Sequence, residues 1–119
     1  SAYNDIIIAL KKDPFTPPTL ASLVSKGKSY KEAVGCLLKT GEIFKCGAEF
    51  VFLKSSWSEI ESFIRTTLKN QKELKIGELR DRFNFSRKYA VPILEETDRI
   101  QLTKRLGDIR VKGEKFESQ

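Results

Sequence analysis

The chain has 119 residues, 39% of them apolar, enough for one average domain or two very small ones. Its net charge of +6 favours polyanionic partners, and the lack of histidine removes the commonest general base and metal ligand. Cys36 and Cys46 cannot complete a four-ligand zinc site by themselves, so no metal, cofactor or enzymatic activity is expected.

Tyr3, Ile6, Ile7 and Leu10 recur at helical spacing, and Pro14, Pro17 and Pro18 break the chain after them. Thr19 is placed to cap a short second helix burying Leu20, Leu23 and Val24. Gly27 allows a turn. Ser29 and Glu32 have capping-box spacing for a third helix with Ala33, Val34, Leu37 and Leu38 inward, ended by Gly41. Strands are expected at Ile43 to Cys46 and Phe50 to Leu53, around Gly47. Both cysteines read as small buried residues, which fits a reducing, cytoplasmic setting. Gly27-Lys28-Ser29 imitates the end of a phosphate-binding loop, but Ser22 stands where the first glycine belongs.

The second half repeats the order. Ser58 and Glu61 have capping-box spacing, and Ile60, Phe63, Ile64 and Leu68 make an apolar stripe. Ile76, Leu79 and Phe83 mark a short helix, Asn84 a turn, and Ser86 the cap of a third helix with Ala90, Ile93, Leu94 and Thr97 inward. Pro92 inside that helix removes the bond its amide would make to the Lys88 carbonyl, and a kink is expected there. Ile100 and Leu102 are expected to alternate inward on a strand, with Leu106 to Asp108 as the tip. Ile109 and Val111 return, with Arg110 and Lys112 on the opposite face. Leu23/Leu79 and Leu38/Leu94 are matched positions of the repeat, as are Gly47/Gly107.

Three helices and a hairpin, twice, predict a mainly α protein with small β hairpins: tandem winged-helix domains at residues 1–55 and 56–119. Units this small bury little surface, so packing of the copies on each other is expected, with Trp57 either at their interface or plugging the base of the second unit.

Charge separates the copies. Residues 1–56 carry 8 basic and 5 acidic residues and residues 57–119 carry 14 and 11, so both halves net +3 and only clustering differs. Ser86, Arg87 and Lys88 occupy the positive end of a helix, where added cations make sense if an anion docks. From Arg99 to Lys112 run Arg99, Lys104, Arg105, Arg110 and Lys112 against the single acid Asp108. Arg80 and Asp81, and Asp98 with Arg99, read as a structural ion network rather than ligand contacts. The matching edge of the first copy holds Tyr30, Lys31, Lys45 and Glu49, which suits a spacer or protein-contact module.

Leu79-Arg80-Asp81, Ser86 to Ala90, Pro92 to Glu95, Asp98-Arg99 and Lys104 to Arg110 resemble the last winged-helix domain of the bacterial selenocysteine-specific elongation factor SelB. The likeness is close over residues 76–112; over residues 1–56 it rests on architecture and corresponds to the penultimate winged-helix domain. It implies a fragment that grips the tip of the SECIS hairpin of a messenger RNA. The residues it points to are Ser86, Arg87, Lys88, Arg105 and Arg110, with Tyr89 and Lys104 beside them. It also implies a cytoplasmic monomer with no membrane partner. Contact with the ribosome is left open, and GTP and selenocysteinyl-tRNA fall to upstream domains outside this chain. The lack of methionine fits a piece of a longer protein. A winged-helix DNA-binding regulator and a pure protein-interaction module are the rival readings.

Overall fold

A computed structural model describes residues 1–118. The chain divides into two compact units, Ser1–Ser58 and Glu59–Gln119. Both are mainly helical with a small antiparallel sheet.

In the first unit, helices α1 (Ala2–Lys12), α2 (Leu20–Val24) and α3 (Lys28–Thr40) precede strands β1 (Ile43–Cys46) and β2 (Phe50–Leu53). Thr19 caps α2 by accepting the Ser22 amide at 3.1 Å. Gly41 ends α3 at φ 80°, a left-handed conformation that glycine adopts without steric cost. The start of α3 corrects the capping-box expectation. Gly27 is the N-cap, at φ 136°, with no side-chain cap bond, and Ser29 lies inside the helix. The core gathers Ile6, Leu10, Leu23, Ala33, Val34, Leu37, Ile43 and Val51, while Leu38 is only half-buried. Cys46 is buried but Cys36 is exposed, contrary to the expectation that both are inside. Trp57 packs on Phe52 of the same unit at 6.4 Å between rings.

Strand β2 runs straight into α4 (Lys54–Asn70). The helix therefore starts four residues before Ser58, and Glu61 accepts from Arg65 Nε at 3.0 Å instead of serving a cap. The second unit continues through β3 (Leu74–Lys75), α5 (Ile76–Phe83), α6 (Arg87–Arg99), β4 (Thr103–Leu106) and β5 (Ile109–Lys112). Ile60, Ile64, Leu68, Leu79, Ile93 and Leu94 form its interior. Asn84, at φ 53°, makes the turn between α5 and α6. Helix α6 runs through Pro92 without interruption.

Two features of this unit depart from the expected hairpin. Its sheet has three strands, in the order β3-β5-β4, because Leu74 and Lys75 pair with Arg110 and Ile109. The first unit keeps a single bridge at the matching place, Thr19 with Phe50. Further, Ile100 to Leu102 form the exit from α6, with Gln101 at φ 64°, and are not strand. Leu102 is nonetheless buried.

After β5 the chain runs back along the exit of α6, with the Gly113 and Lys115 amides donating to the Leu102 and Gln101 carbonyls, each at 2.9 Å. Phe116 is buried, its carbonyl accepts from Arg65 Nη1 at 3.0 Å, and Arg65 and Lys112 lie over its ring. This return depends on Gly113, where a Cβ would stand 2.2 Å from the Gln101 carbonyl oxygen and 2.8 Å from that of Thr103. Both are backbone atoms and cannot swing aside. Gly113→Ala is expected to destabilise the second unit by about 1–3 kcal/mol. Urea unfolding read by far-UV circular dichroism checks this, and an unchanged midpoint would show that the backbone relaxes around the methyl.

Candidate nucleic-acid interface

Helix α6 begins where Asn84 turns the chain and buried Phe85 anchors it. Ser86 is the N-cap by position, and its carbonyl accepts from the amides of Tyr89 and Ala90 at 3.1 and 3.2 Å. Its hydroxyl makes no cap bond, which corrects the expectation of a side-chain cap. Arg87 and Lys88 on the first turn are both exposed. Lys88 Nζ lies 5.5 Å from the centre of the Tyr89 ring, and that ring stacks on Phe85 at 6.1 Å with 24° between planes. The end of α6 therefore pairs positive charge with an aromatic face.

Strands β4 and β5 place the remaining residues. Gly107, at φ 64°, and Asp108 make the two-residue turn between Leu106 and Ile109. Arg105 Nε donates to the Gly107 carbonyl at 2.7 Å, which fixes its guanidinium beside the tip. Lys104 is exposed and lines an open cavity of about 290 Å³ together with Asp98, Gln101, Thr103, Arg105, Gly113 and Glu114.

Arg110 lies elsewhere than expected. Far from facing solvent, it is 6% exposed. Its Nε is 3.2 Å from both carboxylate oxygens of Asp98, and its Nη2 is 2.9 Å from Oδ2. The expected inward pair, Ile109 and Val111, is only half-buried, while Arg110 is covered and Lys112 exposed; a covered guanidinium is stable only beside a carboxylate. Thr103 Oγ1 donates to Asp98 Oδ1 at 2.7 Å and sits 2.8 Å from Thr97 Oγ1.

Asp98 thus pairs with Arg110 and not with Arg99. Arg99 binds Glu96 at 2.6 Å, and those hydrogen bonds push its guanidinium further above its ordinary value. Arg80 and Asp81 form no ion pair among the described residues; Arg82 instead pairs with Glu59 at 3.1 Å.

One cavity unites much of this edge. It has a volume of about 140 Å³ and lies between α6 and the β4–β5 hairpin. Arg87, Arg105 and Arg110 line it, with Glu95 and Asp108 and an apolar wall of Ile76, Val91 and Leu94. Three arginines up to 23 positions apart in sequence are brought to one mouth. Ser86, Lys88, Tyr89 and Lys104 lie outside its lining. Asp98, Glu95 and Phe85 were not anticipated here. The only signal for Asp98 was an acid in the last turn of a helix that feeds a cation-rich hairpin.

The first unit offers no such cluster. Tyr30 donates to Asp5 at 2.5 Å, and Lys28 pairs weakly with Glu32 at 4.0 Å. Among the described residues no group of His, Cys, Asp or Glu could hold a metal ion, and no helix is long and apolar enough to cross a membrane.

A short helix, tight turn, exposed third helix and adjoining hairpin define a winged-helix domain, here with its basic residues at the helix start and wing. Residues 66–111 match the family model of the winged helix of elongation factor SelB, and this part of the chain is a SelB-type winged-helix domain. The selenocysteine-specific elongation factor of Desulfomicrobium baculatum is 31% identical over 97 residues. That alignment takes in 79% of this chain and 15% of that factor, so the chain spans only about a seventh of its relative. Two solved structures share the fold. One is the mRNA-binding domain of elongation factor SelB from E. coli in complex with SECIS RNA, with a TM-score of 0.64 and 23% identity over 72% of this chain and 71% of that one. The other is a bacterial selenocysteine-specific elongation factor, with a TM-score of 0.75 and 18% identity over 94% of this chain and 18% of that one.

Proposed function

We propose that this chain is the messenger-RNA-binding part of a selenocysteine-specific elongation factor and that its second unit grips the tip of a SECIS hairpin. The observation that carries this reading is the convergence of Arg87, Arg105 and Arg110 on one cavity at the start of α6. Guanidinium charge meets there beside the positive end of a helix, a combination that suits phosphate. The deep major groove of A-form RNA excludes a helix and its wing, so the domain clasps a loop and tracks its backbone, with unstacked bases giving specificity. Lys88, Lys104 and the hydroxyl of Ser86 extend the phosphate-facing edge, and Tyr89 adds an aromatic face. The likeness to a SelB domain solved with SECIS RNA supports the same partner. The first unit, with its weakly charged edge, serves as a spacer. GTP and selenocysteinyl-tRNA belong to other parts of the factor.

A gel-shift series with three probes tests the proposal: an RNA hairpin with a bulge, the same hairpin with a flush stem, and a DNA duplex. Retardation of the bulged hairpin alone is the expected result. Binding the duplex equally well points to a DNA regulator, and binding none of the three points to a protein-contact module.

A further inference from the structure

We infer that Asp98 is a positioning residue for RNA binding, acting through Arg110. The inference rests on the RNA-binding reading above. A guanidinium is a rigid planar fork whose N–H groups keep fixed directions. Asp98 takes the edge made by Nε and Nη2 of Arg110. The remaining nitrogen, Nη1, is left outside the Asp98 bonds, on a side chain that lines the cavity shared with Arg87 and Arg105. There it donates to an acceptor oxygen of the RNA.

Asp98 does not line that cavity, so its influence passes through the arginine. Its own carboxylate is held in turn. Thr103 donates to it at 2.7 Å, Thr103 contacts Thr97 at 2.8 Å, and Thr97 donates to the Leu94 carbonyl at 2.9 Å. This chain of bonds ends on the backbone of α6, the helix that carries Arg87. Both arginines are therefore registered on one rigid element, and Arg110 gives up its rotamer freedom before RNA arrives.

The sign of one substitution separates positioning from charge. Asp98→Asn keeps the shape and removes a negative charge beside a basic cavity. Coulomb attraction alone would make RNA binding tighter. Positioning requires it to weaken, by roughly 10-fold. Arg110→Lys keeps the charge and loses the fork. In that background Asp98→Asn is expected to add less than about twofold, because the path it acts through is already broken. A purely structural role would show its full loss in both backgrounds.

Asp98→Asn leaves Arg110 without its partner, so thermal melts must show each variant folded at the assay temperature. A measurement on the unaltered chain covers the case in which the variant does not fold. In ¹⁵N-detected spectra of the guanidinium groups, the bulged hairpin is expected to move Arg110 Nη1 and leave its Nε at the Asp98-bonded shift. If the unaltered chain binds the hairpin while Asp98→Asn binds as tightly or tighter, or while the Arg110 signals stay still, the positioning role is overturned and the RNA-binding reading stands. If the unaltered chain does not bind the hairpin, the RNA-binding reading itself fails.

Discussion

Arg87→Ala and Arg105→Ala are each expected to weaken binding of the bulged hairpin by about 1–3 kcal/mol, while Lys31→Ala leaves it nearly unchanged. All three are exposed cations; Arg87 opens α6, and Lys31, which the sequence repeat pairs with it, is the fourth residue of α3. A response set by net charge would treat them alike, since the two halves of the sequence carry equal net charge. What distinguishes Arg87 and Arg105 is the cavity they share with Arg110. The tie from Arg105 to the Gly107 carbonyl also holds that side chain where a ligand would meet it, so less order is lost on binding. Because the two arginines line one site, their losses should not add, and the double variant reads the coupling between them. Salt gives a second measure. Each phosphate contact removed should lower the slope of log affinity against log salt by about 0.7–0.9. Anisotropy titrations at several salt concentrations supply both numbers, and equal losses at Arg87, Arg105 and Lys31 would abolish the assigned polarity of the two units.

The sequence made the helices legible because an apolar stripe at helical period needs only local reading. Ile6 with Leu10, and Ile60 with Ile64 and Leu68, are buried as their spacing requires. Hairpin tips were legible too, since Gly47 and Gly107 adopt φ of 65° and 64°, where other residues are strained. The misreadings have non-local causes. Ser29–Glu32 and Ser58–Glu61 have the spacing of a capping box, but a helix begins where the preceding chain lets it. Gly27 and the continuous run from β2 into α4 set those starts. Strand β3 is two residues long and exists through pairing with β5, which lies some 35 residues downstream. Its trace in the first unit, the Thr19–Phe50 bridge, is equally silent in sequence.

The candidate site divides in the same way. Cations at the start of α6 and along the wing could be picked out by position. Alternation also put Arg110 and Ile109 on opposite faces of β5, but it does not say which face is covered. That was decided by Asp98, twelve residues earlier, whose carboxylate makes a covered arginine tolerable. Sequence therefore reported the charge of the wing correctly and the exposure of one member incorrectly.

Leu94→Ala is expected to cost the second unit about 2–5 kcal/mol, the range for deleting a buried leucine whose surroundings cannot close the gap. Leu38→Ala, at the position the sequence repeat pairs with it, should cost clearly less. The sequence repeat pairs the two leucines, but Leu38 is the eleventh residue of α3 and half-buried, whereas Leu94 is the eighth of α6 and 1% exposed. Leu94 also forms part of the apolar wall behind Arg87, Arg105 and Arg110, and its carbonyl accepts the Thr97 hydroxyl at 2.9 Å. Truncation there loosens the floor of the candidate site as well as the core, so hairpin affinity should fall even under conditions where the variant remains folded. Truncation at Leu38 should leave that affinity unchanged. Amide hydrogen exchange read separately on α3 and α6 gives the two stabilities, and titration of each variant with the bulged hairpin gives the affinities. Equal protection losses in α3 and α6 would mean that the two leucines bear equal weight despite their unequal burial. An unaltered affinity in folded Leu94→Ala would separate the cavity wall from recognition.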